Sequence, residues 1–244
     1  MSNTPTAADE LRKRINANWP TEIRSISTTA LAAFDAFAER RATVDTSKAD
    51  WIEATRKAAV PSGKAVAKAV RDLDRARAKL AADRVAVRTK ALMHPSSRDA
   101  EIAGEIRAHL RGLNQGEAQR LLLGETADPA AQRALLEAPA YLVPGLSADF
   151  RAAVESDFLG KIAPDEIGAL AATDDALHHA EVAVKLARDS IQSAAFNHEA
   201  EFEEWFETEC QPDTAADDIE AQRRQAEADR LAAVDARLAE LVAA

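Results

Sequence analysis

Two stretches of this chain repeat apolar residues every seven positions, and neither contains a glycine or a proline. In the first, Val66, Leu73, Leu80 and Val87 keep the spacing, with Ala69 and Ala76 at half-heptad positions. In the second, Leu177, Val184, Ile191, His198 and Trp205 keep it, with Ala180, Ala187 and Ala194 between them. Such a repeat marks one face of a long helix that needs an apolar partner along its length. Glycine use agrees: of 8 glycines, seven lie between Gly104 and Gly168, so the flanks carry almost no backbone punctuation. β-formers never alternate over a strand's length. The expected fold is all-α: a long antiparallel coiled-coil-like helical hairpin with a compact small-helix head between the two arms.

Local signals divide the chain into 1–45 (N-terminal helices), 46–95 (a basic coiled-coil arm), 96–172 (the head), 173–211 (an acidic coiled-coil arm) and 212–244 (a C-terminal helix). Thr6 with Asp9 has capping-box spacing, and a second helix is expected at about 27–44, carrying Leu31, Phe34, Phe37 and Val44. Ser47 with Asp50 has the spacing to start the basic arm, and Pro61–Ser62–Gly63 reads as a kink or short break in it. Within the head, Ser96 with Asp99, Asn114 with Glu117, Asp128 before Pro129, and Ser147 mark helix starts; Gly112 and Gly124 mark stops. The acidic arm is expected to start at Pro164 or Thr173 and run unbroken to about Glu209. Its apolar face drifts to Phe202 and Phe206 in the manner of a stutter. Thr214 with Asp217 would cap a last helix whose Leu231, Val234, Leu238 and Leu241 form a two-heptad zipper.

Composition shapes what such helices can build. The apolar fraction is 47%, but 57 of the 114 apolar residues are alanine. Alanine favours helix and allows close approach while burying little area, which suits an elongated molecule or an oligomer better than a thick globule. Residues 1–100 hold 19 Lys+Arg against 12 Asp+Glu, a balance of +7; residues 101–244 hold 12 against 29, a balance of −17. The basic residues of 46–94 and the acidic ones of 195–244 are therefore expected to face each other and set partner and orientation. Cys210 is the sole cysteine, which rules out an intrachain disulfide and a cysteine-based zinc site. No secretory leader or membrane-spanning run is visible, so residence in the cytoplasm, or in host cytoplasm and virion for a phage protein, is expected.

Candidate chemistry is sparse. Asp174 with His178, and Asp175 with His179, are each four apart and share a helix face, but no matching ligand pair occurs elsewhere; no metal and no cofactor is expected. His198 falls on the apolar seam, where a polar residue more often fixes register than binds a ligand. Pro61–Ser62–Gly63–Lys64 fails as a phosphate loop, because Ala58 and Ala65 stand where the motif needs glycine and Ser or Thr. The run Glu199–Glu209 holds six glutamates without the pattern of a calcium loop. Phe202, Trp205 and Phe206 inside it pack a core or anchor a partner. Lys64, Lys68, Arg71, Arg75, Lys79, Arg84 and Arg88 have the helical spacing to track phosphates, but few aromatics interleave and the acidic arm is the simpler counterion.

The stretches LLEAPAYLVPGLSADF (Leu135 to Phe150) and APDEIGALAATDDALHHAEVAV (Ala163 to Val184) resemble uncharacterised helical proteins of tailed phages and prophages. The resemblance covers the middle of the chain and implies a virion or morphogenesis component; it brings no catalytic residues. With no nucleophile, base and anion-hole set in view, the expected function is non-enzymatic. The protein is expected to be structural, working by helix–helix association with itself or other assembly proteins, with no membrane partner. Contact residues would be Phe202, Trp205, Phe206, Tyr141, Leu142, Leu231 and Leu238. The alternatives are a cytosolic adaptor or regulator that binds a protein through its head, and a nucleic-acid binder using the basic arm.

Overall fold

The computed structural model describes residues 6–93, 96–139, 143 and 145–211. Among them are nine helices and no strand, so the protein is all-α. Tyr141, Leu142, Leu231, Leu238 and the expected cap at Thr214 lie outside the described residues. The chain divides into two compact units that cut across the expected segments. Unit 1 takes Met1–Ile15, Arg24–Leu73 and His179–Ala244; unit 2 takes Asn16–Ile23 and Asp74–His178. The arms are therefore not domains: each long helix lends one part to each unit.

In unit 1, α1 (Ala7–Arg14) starts at the expected capping box, in which Thr6 and Asp9 satisfy each other's backbone N–H groups. Arg12 pairs with Asp35 of α2 (Thr21–Ala42), a helix that starts six residues earlier than its apolar pattern suggested. Ile26, Ala30, Leu31 and Phe37 are the buried side of α2. α3 runs unbroken from Trp51 to Leu92. It lacks the expected start at Ser47, whose hydroxyl and N–H turn back to Asp45 Oδ1.

Of the kink or short break expected at Pro61–Gly63, the break is absent, since the helix continues through it. Proline removes one N–H from the ladder, but Pro61 and Lys57, whose carbonyl loses its donor, are both exposed residues, which keeps the cost of the missing bond low. The two residues that follow turn inward. Ser62 is buried and accepts a hydrogen bond from Arg40 Nη1 at 2.9 Å, and Gly63 is buried beside it.

The heptad positions of α3 and of α8 (Pro164–Ala195) are mostly buried. In unit 1 these are Val66, Ala69, Leu73, Ala180, Val184, Ala187 and Ile191; in unit 2, Leu80 and Leu177, with Val87 half-buried. Unit 2 shows the direction of the two helices: Arg84 pairs with Asp174 at 3.1 Å and Lys90 with Glu166 at 3.3 Å, so residue numbers rise along α3 as they fall along α8. α8 stops at Ala195, fourteen residues short of the expected end, and α9 (Glu199–Glu209) follows after three non-helical residues. His198 is therefore not on a seam; it is exposed at the start of α9.

The small helices of unit 2 follow the sequence closely. α4 (Ser97–Leu110), α5 (Gln115–Leu122), α6 (Pro129–Glu137) and α7 (Ala148–Ile162) begin at Ser96, Asn114, Asp128 and Ser147, each cap accepting a backbone N–H. Gly124 supplies the positive φ, +93°, that lets the chain leave α5. Leu122, Leu135, Val143, Phe150, Val154 and Phe158 lie in one apolar cluster, so the Pro139–Gly145 loop contributes a core residue.

Candidate functional site

Unit 1 contains the densest aromatic cluster among the described residues. Phe196 meets Phe202 edge-on at 5.4 Å and Trp205 at 5.0 Å, and Phe202 stacks at a tilt on Phe206 at 5.5 Å. Phe202 and Phe206 are buried and Trp205 is half-buried, so the phenylalanines serve this chain's own packing. The contacts also show a reversal. Phe196 and Trp205 would stand about 13 Å apart along an unbroken helix; here their rings touch.

Two arginines from other helices hold α9 in that position. Arg56 of α3 places its guanidinium 4.6 Å from the Phe196 ring centre, bonds Glu201 at 2.5 Å, and donates from Nε to the Ala195 carbonyl at 3.2 Å. The last bond matters because a helix end leaves carbonyls without donors. Here a side chain from α3 supplies one, in place of the local glycine that ends many helices. Arg188 of α8 lies 5.4 Å and 5.1 Å from the Phe202 and Phe206 ring centres and pairs with Glu203. Each such cation–π contact contributes about 0.5–1 kcal/mol at exposed sites and more when desolvated.

Gly63 explains how closely α9 approaches. A Cβ added there would lie 2.3 Å from Cys210 Sγ and 3.2 Å from the Trp205 ring, so only glycine fits. Cys210, fully buried, closes the far end of α9. Burial, with Glu209 nearby, pushes its thiol up to about 12, which keeps it protonated and unreactive near neutral pH. The aromatic residues were visible in the sequence as a cluster. Arg56, Gly63 and Arg188 were not, since nothing local distinguishes them from solvated or helix-breaking residues.

Unit 2 offers a surface of another kind. A groove of about 430 Å³ runs between α3, α7 and α8, floored by Val85, Leu159, Ile167 and Leu170. Its rim is charged in pairs, Arg84 with Asp174 and Arg88 with Glu155 at 2.7 Å. Val85, at 64% exposed, is an apolar residue left open on an otherwise basic helix.

The histidine–aspartate pairs do not assemble. Asp174 is bound to Arg84, His178 is exposed, and His179 is buried with Nε2 2.9 Å from the Leu11 carbonyl. Among the described residues no group of three or more His, Cys, Asp or Glu is placed to hold a metal ion. The basic residues of α3 are largely engaged. Lys68 pairs with Asp72, Lys79 with Glu22, Arg84 with Asp174 and Arg88 with Glu155. The acidic residues near the end of the chain supply one of these counterions among the described residues, Glu201 to Arg56. Other partners come from α2, α7, α8 and α3 itself. Among the described residues no helix is long and apolar enough to cross a membrane. No protein-family model, curated protein or solved structure matches the chain.

Proposed function

We propose that the protein is a non-enzymatic assembly component that works by helix–helix association with further copies of itself. The observation that carries this reading is the unit 2 groove: an apolar floor with Val85 open to solvent, rimmed by alternating Arg and acidic side chains. That is the form in which an amphipathic helix is received, its apolar face in the groove and its charged flanks meeting the rim. The occupant proposed is a helix from a second copy. The chain is rich in Ala-faced amphipathic helices with flanks of both signs, so each copy presents both halves of such a contact. The resemblance of the middle segment to helical proteins of tailed phages supports a virion or morphogenesis setting, and a cytoplasmic or virion location belongs to the same proposal.

Light scattering across concentration tests the reading. Self-association that Val85→Glu weakens without loss of helicity supports it; a strict monomer at every concentration contradicts it and favours the second reading. That second reading is an adaptor whose groove takes another protein's helix, and the apolar floor favours it over a nucleic-acid partner, which needs an open cationic surface where here each rim arginine stands beside a carboxylate.

A further inference from the structure

The turn between α8 and α9 has no local cause. Phe196–Asn197–His198 contains no glycine or proline, no residue there has positive φ, and His198 makes no side-chain cap for α9. The seven-residue spacing of α8 continues past the turn, from Leu177, Val184 and Ile191 through the polar His198 to Trp205, with the stutter to Phe202 and Phe206 that a continuous helix tolerates. Local sequence therefore specifies one helix, while Arg56, Arg188 and the Gly63 notch specify two. A conflict between local and tertiary preference at a short connection is the condition under which identical elements exchange between copies.

We propose that α9 is such an exchangeable element, and that in a dimer α8 and α9 fuse into one helix over 164–209 whose α9 part seats in the Gly63 notch of a second copy of this chain. A lone chain gains nothing by straightening, because Phe202, Phe206 and Cys210 would lose their burial. Exchange restores every one of those contacts, since the second copy offers the same notch, the same Arg56 for Glu201 and the same Arg188 for Glu203. The net change is confined to the hinge, where three residues pass from extended or bent backbone into helix. The proposal rests on self-association but uses unit 1, not the groove of unit 2.

Glu199→Pro separates the two forms. Position 199 is the first residue of α9, where proline is favoured, and His198 before it already has the φ of −129° and ψ of 138° that a following proline requires. In the fused helix the same proline deletes a ladder bond and clashes one turn back, so dimerisation should weaken about 100-fold or more. Light scattering of the full chain, with Val85→Glu in both proteins to remove the groove contact, is expected to show a residual passage from monomer to dimer that Glu199→Pro abolishes, with Cys210 still unreactive to a thiol reagent because α9 stays docked. As a second arm, Arg188→Glu and Glu203→Arg chains each set like charges against each other within one copy; mixed, they should pair with one another in preference to themselves, because exchange restores both ion pairs.

With Val85→Glu present, absence of any residual dimer or equal dimerisation with and without Glu199→Pro overturns the exchange, as does indifference of the two charge-reversed chains to each other; the groove reading stands if Val85→Glu alone weakened self-association. A wild type that never dimerises overturns both.

Discussion

The head of unit 2 and the α8–α9 turn of unit 1 stop their helices by opposite means. In the head each start carries its own cap within three residues, as in Ser96, Asn114, Asp128 and Ser147, and Gly124 supplies the exit. At the α8–α9 turn no such residue exists, and the stop is made by Arg56, 139 residues from Ala195 in sequence, with Arg188 of α8 holding Glu203. Local caps fix a boundary whatever the surroundings; a boundary imposed by packing lasts only as long as the packing. One region is built to stay as it is, and the other holds an alternative in reserve.

Substitutions should sort along that contrast. The largest effect belongs to the buried heptad positions that both kinds of boundary depend on. Leu73→Asp or Ile191→Asp places an unpaired carboxylate in a buried site, which destabilises by several kcal/mol. Circular dichroism should show helicity collapsing at temperatures where wild type is folded, and unchanged melts for both would remove the seam from the account.

Gly63→Val comes next. Overpacking of this kind typically destabilises by about 1–3 kcal/mol, and here the strain falls on α9. Cys210 should become reactive toward a thiol reagent near neutral pH while the head keeps its hydrogen-exchange protection. Alkaline pH loosens the same element from the other side. The folded thiol holds its proton up to about 12, whereas an unfolded one releases it near 8.5. Between those values the unfolded state binds fewer protons, so stability is full below about pH 8.5 and falls as pH rises toward 12. Cys210→Ala should flatten that slope in denaturant titrations; an identical slope would place the loss elsewhere.

Arg188→Met removes the Glu203 pair and two ring contacts. Both partners are roughly a third exposed, so solvent screening keeps the expected loss to about 1–2 kcal/mol. Hydrogen exchange should quicken across Glu199–Glu209 alone. Asp128→Ala is the matching change in the head. Loss of this N-cap should destabilise by about 1 kcal/mol, frayed at the start of α6 and nowhere in α9.

The sequence showed most plainly what local chemistry decides. Capping residues marked every small helix of the head, and the spacing from Val66 to Leu80 and from Leu177 to Ile191 marked the buried faces of α3 and α8. Two features read wrongly, and for one reason. Pro61–Ser62–Gly63 carries the residues of a break, yet the helix runs through and Gly63 makes the notch for α9; Phe196–His198 carries no glycine or proline, yet the chain turns there. In both places a partner distant in sequence outweighs the local preference, and no window of neighbouring residues contains that partner. The aromatic half of the site was legible as an excess of Phe and Trp on an Ala-rich helix. Its arginines were indistinguishable from the many others on amphipathic faces.

The claim beneath all of this is that the α8–α9 turn is held from outside. It is tested most directly by Cα chemical shifts of residues 196–199 in the full-length Phe202→Asp protein, measured where the chain is monomeric. This substitution ejects a fully buried ring and with it α9. The expected result is a move of Phe196, Asn197 and His198 to helical shifts, continuous with α8 and Glu199. Extended shifts that persist at Asn197 and His198 after α9 has been released would mean that the turn is written in its own residues, and the account would fail.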